Sequence, residues 1–368
     1  IWFGNIELHI KTSDWDKHGH TDDEHYGNII LHVVWEHDQT NEQTIPVLEL
    51  KNRISTSLLL RYHQLMEQNE FIPCQNQISD ISELVWMSWK ERMIAERLFQ
   101  KNEKINQLLQ QTNHHWEETF WQLLARNFGM TVNTDAFESI AKTIPVTVLA
   151  KHKNQIHQLE SLLLGQAGLL NSEFTEDYPV MLQKEYRFLQ KKHQLKPINQ
   201  LLHFLRMRPS NFPSVRLAQL AMLIHQSSHL FSKVIEADDL NSIKQLLAVT
   251  ANDYWHYHYI LNEQAEFKKK QLGKMMIENI LINTIIPILY AYAEQHANDK
   301  LKQKAVQWLQ ELPKENNSIT RQWENTGITH ATAFDSQALL YLKKNYCNAK
   351  RCLSCAIGNS ILKKQLTS

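Results

Sequence analysis

Over most of the chain, apolar residues recur at intervals of three and four, and this pattern constrains the fold more than any other feature. In residues 81–110 the repeat is carried by Ile81, Leu84, Val85, Trp89, Met93, Ile94 and Leu98. These residues would form one side of an amphipathic helix. Similar patterns occupy residues 114–128, 147–164, 180–206, 213–235, 239–248, 271–297, 300–311 and 333–345, with a short helix over 134–139 that Thr134 would cap. Only 9 Gly and 9 Pro interrupt 368 residues, so we expect a mostly helical body over residues 54–368.

The first 53 residues have a pattern that is typical of β-strands. Residues 5–11, NIELHIK, alternate between polar and apolar side chains, as in a half-buried strand. Residues 29–35, IILHVVW, read as a strand covered on both sides, and residues 45–51 alternate again. The sequence therefore predicts an α+β protein, with a small mixed β-sheet in residues 1–53 followed by the helical body. Because the chain begins inside a strand pattern and without Met, we expect a further member of this sheet upstream.

Charge and composition restrict the class of protein. The chain has 39 basic and 39 acidic residues, which argues against bulk electrostatic capture of nucleic acid but leaves room for a local patch. Four cysteines and a start unlike a signal peptide indicate the cytoplasm. The longest apolar run, residues 280–293, is short and contains Asn283 and Thr284, so we expect no membrane span.

Six of the 19 histidines lie within residues 1–38. Glu7 and His9 would project from the same side of the first strand, and His18, His20 and Asp23 follow in a polar loop. Carboxylates and neutral imidazoles that converge on one point are metal ligands. We expect a metal site here, and a solvated polar loop is the alternative. Glu49 and Lys51 form a second, weaker pair at the end of the third strand pattern.

Three of the four cysteines lie close together in the sequence YCNAKRCLSCAIG, at Cys347, Cys352 and Cys355. Thiolates at this spacing usually hold Zn²⁺ or an iron–sulfur cluster. A fourth ligand is required, which could be Cys74 or one of the histidines. The alternative is that the cysteines are small buried core residues.

Arginines and aromatic residues suggest where a nucleic-acid substrate could bind. Arg208 and Arg216 flank two prolines in RMRPSNFPSVRLAQLA, residues 206–221. Guanidinium groups suit phosphate recognition, although such arginines more often hold a buried turn together. The aromatic residues of DYWHYHYIL, 253–261, could stack on bases but are more often core.

The chain resembles an uncharacterised bacterial family, a domain of unknown function. The resemblance runs nearly end to end and is carried by GNIELHIKTSDWDKHGH, YGNIILHVVWEHD, FIPC, WKERMIAERL, ESLLLGQAGLL, RPSNFPSVRLAQLA and CNAKRCLSCAIG. Members of that family begin upstream with a Pro-Asp-Phe motif and a strand. With that motif, Glu7-x-His9 is similar to the split motif of metal-dependent nucleases, with His9 in place of the usual Lys. The FIPC match implies that Cys74 joins the other three cysteines, as in nucleases with an iron–sulfur cluster.

Together these features predict a metal-dependent phosphodiester hydrolase that acts on nucleic acid. Glu7 and His9 would be catalytic, His18, His20 and Asp23 would complete a Mg²⁺ or Mn²⁺ site, and Arg208 and Arg216 would bind substrate. The cysteines would hold Zn²⁺ or an iron–sulfur cluster. The alternative is a non-catalytic helical binding or scaffold protein with a structural metal site.

Overall fold

The computed structural model describes residues 3–39, 45–227 and 229–363. The described parts of residues 1–89, 325–327 and 342–368 form one compact unit, and residues 90–324 and 328–341 form a second. The segment that carries three cysteines therefore belongs to the same unit as the N-terminal strands. The expected division near residue 53 falls inside this first unit.

A small parallel sheet forms the start of the first unit. Its strands are β1 (Asn5–Lys11), β2 (Ile29–Glu36) and β3 (Val47–Glu49), in the order β1-β2-β3. Both pairs are parallel, where the sequence led us to expect a mixed sheet. The long connection over residues 12–28 explains this difference, because it lets the chain return to the start of the sheet before β2 begins.

The faces of this sheet are covered unequally. On β2, the consecutive residues His32, Val33 and Val34 are all buried, which confirms that the middle of this strand is covered on both sides. On β1, in contrast, the apolar residues Ile6, Leu8 and Ile10 are exposed. The polar side of β1 is the packed one, since the residues 12–26 fold over it.

Helices account for most of the remaining structure, and they confirm the α+β prediction. In chain order they are α1 (Asp14–Lys17), α2 (Thr56–Glu67), α3 (Glu83–Gln111), α4 (Trp116–Phe128), α5 (Thr134–Thr143), α6 (Val146–His152), α7 (Ile156–Gln166), α8 (Asp177–His193), α9 (Pro213–Gln226), α10 (Leu230–Glu236), α11 (Leu240–Leu247), α12 (Lys274–Ile280), α13 (Ile286–Gln295), α14 (Asp299–Glu311), α15 (Ser318–Asn325), α16 (Ala333–Leu342) and α17 (Ala356–Lys363). A hairpin of β4 (His258–Ile260) and β5 (Glu263–Gln264) interrupts them.

Several helices differ from the sequence pattern at their ends. The helix predicted over 180–206 ends at His193, because Gln194 takes the left-handed conformation and Pro197 follows. The patterns over 147–164 and 213–235 each divide into two helices. Asn133 precedes α5 as its N-cap residue and makes no side-chain capping bond, so the predicted cap by Thr134 is wrong.

The most apolar helix contains a wide π-type turn. Helices α12 and α13 are joined without a break by the π-helical turn Leu281–Ile285. By length and composition alone, Lys274–Gln295 would suffice to cross a membrane, but 67% of its most apolar window is buried inside the protein. This burial is the pattern of a core helix.

Candidate metal centre

Glu7, His9 and His32 share one face of the parallel sheet. In the β1–β2 pair, Glu7 lies opposite His32 and His9 lies opposite Val34, and paired residues project to the same side. His32 is only 1% exposed, so its ring needs a polar partner inside the protein. That partner is His9, whose Nδ1 lies 3.0 Å from His32 Nε2.

The loop after β1 returns two further histidines to His9. The buried indole of Trp15 fixes helix α1 against the sheet. Between His18 and His20, Gly19 has a φ of 70°, a conformation that glycine adopts without strain. This turn lets the two histidines on either side approach the same point.

His9, His18 and His20, here called the histidine trio, each offer a ring nitrogen to a common point. The three nitrogens lie within 4.8 Å of one another. His18 Nδ1 is 3.2 Å from His9 Nε2, and Glu7 Oε1 is 3.6 Å from the same His9 atom. Nitrogen ligands of one ion lie about 3 to 4 Å apart, since each is about 2 Å from the metal. The histidine trio therefore needs only small side-chain movements to bind one divalent ion.

Aromatic side chains hold these rings in place. The ring of Tyr26 stacks on His20 at 3.8 Å between centroids. Trp15 contacts both His20 and His32, with centroid distances of 5.5 and 5.1 Å. Rings packed on several sides lose rotamer freedom when the protein folds, which leaves less to lose when a ligand binds.

The electrostatic environment keeps the central imidazoles neutral. Burial lowers the pKa of His9; Glu7 opposes this change, whereas the neighbouring His18 and His20 lower the pKa further. Burial and the nearby His9 lower the pKa of His32. Neutral imidazole is the form that binds metals. If His9 binds the ion through Nε2, its Nδ1–H would donate to His32 Nε2. Hydrogen bonds of this kind orient a metal-binding histidine.

The other predicted ligands of this region have different partners. Asp23 Oδ1 accepts a hydrogen bond from the backbone N–H of His25 and lies 2.7 Å from His25 Nδ1. Its carboxylate is not among the atoms that converge with the histidine trio. Glu49 accepts the backbone N–H of His37, and Lys51 forms an ion pair with Glu36. Asp23 therefore caps the helical turn at residues 24–26, whereas Glu49 and Lys51 make their contacts near the ends of β2 and β3.

In the second unit, Arg208 and Arg216 have very different surroundings. Arg216 is buried, and its guanidinium donates to Gln219 Oε1 at 2.9 Å and Asn211 Oδ1 at 2.6 Å. Burial lowers the pKa of Arg216 to about 10. The side chain of Arg208 is exposed. Substrate binding by either residue stays a prediction, and Arg208 is the one that solvent reaches.

The four cysteines all lie in the first unit and are free thiols. Cys74, Cys352 and Cys355 are buried, and Cys347 is partly buried. Burial raises the pKa of each, to about 12 for Cys74. The Lys343 ammonium donates a 2.5 Å hydrogen bond to the Phe71 carbonyl. This bond joins two segments that are more than 270 residues apart in sequence.

Sequence reasoning found the histidine trio but missed the groups that support it. His32 was counted with the six N-terminal histidines and given no role. Its signal was a single polar residue inside an apolar strand, because such a residue must be bonded within the protein. The strand register that brings it to His9 is a long-range property, and so is the packing of Trp15 and Tyr26.

Among curated proteins and solved structures, no match to this chain was found. A family model does match, with the description "Protein of unknown function (DUF2851)", over residues 1–318. The histidine trio and its supporting residues lie within that range, whereas the last three cysteines lie beyond it. The chain belongs to this family of proteins of unknown function.

Proposed function

We propose that the chain is a metal-dependent phosphodiester hydrolase that acts on nucleic acid, with its metal held by the histidine trio. The observation that carries this proposal is the convergence of three ring nitrogens within 4.8 Å. Catalytic metal sites commonly have three protein ligands and an open position, whereas structural sites are closed by four. His18 is exposed, so a substrate has access to the open side.

The donor atoms favour one kind of metal. Imidazole nitrogen suits Zn²⁺, and Mg²⁺ prefers oxygen ligands. Of the ions that the sequence suggested, Mn²⁺ is the better match, because transition metals accept imidazole ligands more readily than Mg²⁺ does. We therefore expect Zn²⁺ or Mn²⁺ to bind more tightly than Mg²⁺.

Glu7 is well placed to move a proton. Its Oε1 is 3.6 Å from His9 Nε2, so it lies beside the point on which the histidine trio converges. An ion bound there would supply the positive charge that activates a water molecule and polarises the phosphate. Glu7 would take the proton as the water oxygen attacks phosphorus and the bond to the leaving oxygen breaks. His32 would hold His9 in position throughout.

The same strand face supplies positive charge for an anionic substrate. Glu7, His9 and Lys11 are each two residues apart on β1, so their side chains lie on the same face of the strand. The Lys11 side chain is exposed. An ammonium group beside a metal site would favour a phosphate over a neutral substrate. Because the net charge of the chain is zero, we expect binding to depend on a few local contacts, and its affinity to fall only modestly with salt.

The test compares metal binding and hydrolysis in matched variants. Zn²⁺ and Mn²⁺ affinities would be measured by calorimetry, and cleavage of single- and double-stranded DNA and RNA would be measured with each ion. His9→Ala and His20→Ala should lose metal binding and at least 100-fold in cleavage rate. His25→Ala is the control, because His25 lies in the same loop, is highly exposed and pairs with Asp23.

Two results would overturn the proposal. Equal metal affinity in the wild type and the His20→Ala variant would show that the histidine trio is not the site. The second result is that the protein binds metal but cleaves no nucleic acid, and that Glu7→Gln changes neither metal affinity nor cleavage. This result would favour the other class of function. That class is a non-catalytic helical binding protein with a structural metal site, which the neutral net charge supports.

A further inference from the structure

A second centre is indicated by the four cysteines of the first unit. Cys74, Cys347, Cys352 and Cys355, here called the cysteine set, are the only cysteines in the chain. They come from two segments that are far apart in sequence, yet the fold brings them to one region. Small apolar residues that fill a core have no reason to gather in this way.

The two segments pack against each other, because α17, which follows Cys355, contacts residues 75–80, which follow Cys74. Besides burial, the pKa of Cys74 is raised by Cys355 and Cys352. The pKa of Cys347 is raised by all three other thiols, and that of Cys352 is raised by Cys355. Every pair in the cysteine set is therefore close enough for one negative charge to disfavour another.

The backbone around the cysteines is arranged to receive a charged sulfur. Cys355 immediately precedes α17, and the backbone N–H groups of Ile357 and Gly358 are directed at its sulfur. Such donors stabilise a thiolate. A Cβ at Gly358 would lie 2.4 Å from the carbonyl oxygen of Cys352, so only glycine permits this close turn.

Two lysines add positive charge and join the two segments. Burial raises the pKa of Cys347 and of Cys352, and Lys343 and Lys350 respectively offset part of that rise. Their ammonium groups also donate to backbone carbonyls just before Cys74, Lys343 to Phe71 and Lys350 to Met66. The same contacts that offset thiolate charge thus bring the C-terminal cysteines to Cys74.

The spacing of the sulfurs distinguishes between kinds of metal centre. A single tetrahedral Zn²⁺ would hold four sulfurs about 3.8 Å apart, since each Zn–S bond is about 2.3 Å. Within the described part of the chain, no three sulfurs of the cysteine set lie within 4.8 Å of one another. A single ion would require the sulfurs to move closer together, whereas a cluster of several metal atoms holds its thiolate ligands further apart.

We propose that the cysteine set, as four thiolates, holds an iron–sulfur cluster that joins residues 66–81 to residues 343–363. The cluster would close a very long loop of the chain, which is where a cross-link removes most freedom from the unfolded state. Its role is structural, and it is independent of the hydrolase proposed for the histidine trio.

The test is the metal content of the full chain, purified without oxygen. Iron and acid-labile sulfide in equal amounts, with visible absorption from sulfur-to-iron charge transfer, are expected for the wild type. Cys355→Ser and Cys74→Ser should lose most of the iron and the absorption. Ser354→Ala should keep both, because Ser354 is exposed in the same turn. His20→Ala should also keep both, which separates this centre from the histidine trio.

The wild-type protein alone can refute the proposal, even when the cysteine variants do not fold. One zinc per chain without iron or sulfide would show a single-ion site, and the absence of any metal would show four core thiols. The joining role has its own readout, which is proteolysis of the wild type before and after the cluster is removed by oxidant and chelator. Removal should speed cleavage within residues 343–363 at least tenfold, and an unchanged rate would contradict that role.

Discussion

Glu160 is a fully buried acid of the second unit, and we expect its ionisation to control much of the pH dependence of stability. It is 0% exposed on α7. Its Oε2 accepts hydrogen bonds from the Tyr178 hydroxyl at 2.8 Å and the Trp255 indole at 3.0 Å. Burial raises the pKa of Glu160 from 4.5 to about 7, and the two hydrogen bonds offset this only in part.

The direction of the pH effect follows from proton binding. Between about pH 4.5 and about pH 7, the folded chain holds a proton on Glu160 that the unfolded chain has lost. The free energy of unfolding must therefore fall as pH rises through this range. The difference in pKa, 7 minus 4.5, corresponds to about 3.4 kcal/mol at 1.36 kcal/mol for each pKa unit. About 2.5 kcal/mol of this would be lost between about pH 5 and about pH 8.

Glu160→Gln tests this reasoning, because the amide oxygen can accept the same two hydrogen bonds and the group does not ionise. Urea unfolding of both proteins should show that the wild type loses about 2.5 kcal/mol relative to the variant over that range. Glu173→Gln is the control, since Glu173 is exposed, and it should follow the wild type. Parallel pH profiles for the wild type and Glu160→Gln would refute a protonated Glu160.

Three further predictions concern packing, buried charge and the metal centre. In Gly165→Ala the new Cβ would lie 2.1 Å from a Tyr186 ring carbon, so urea unfolding should show a loss of about 1 to 3 kcal/mol; Gly273→Ala, with open space around it, is the control. Arg216→Ala should destabilise the protein by about 2 to 3 kcal/mol, because Asn211 and Gln219 lose a charged donor; Arg208→Ala should change stability by less than about 0.5 kcal/mol, and equal effects would contradict their different burial. His32→Asn should weaken Zn²⁺ binding about 10- to 100-fold in calorimetry, since His9 loses its orienting partner; His63→Asn, on the exposed side of α2, should leave it unchanged.

The fold class was predictable because hydrophobic periodicity is a local property. The repeat in residues 81–110 corresponds to α3 almost residue for residue. The π-type turn Leu281–Ile285 was hidden, because Pro287 and its neighbours continue the apolar pattern through it. The strand β1 was found, but its exposed apolar side was not, since the sequence cannot say what packs on each face.

The candidate metal centre was predictable in part, for a related reason. His9, His18 and His20 are close in sequence, so a strand and one loop are enough to bring them together. His32 reaches His9 only through the pairing of β1 with β2, which depends on register. Asp23 is also close in sequence, but its carboxylate bonds His25, and its role as a metal ligand stays a prediction.

The two proposed centres have different donor atoms, and this decides how their functions can be separated. Both lie in the first unit, one formed by nitrogen ligands on β1 and its loop, the other by sulfur ligands of the cysteine set. Protonation at acidic pH would release an ion from imidazole ligands, because only the neutral ring binds a metal. A cluster held by thiolates is not governed by that titration, and oxidation would remove it instead. We expect mild acidification to abolish hydrolysis while the iron is retained, and oxidation of the cluster to leave hydrolysis intact. These two results together would assign catalysis to the histidine trio and stability to the cysteine set.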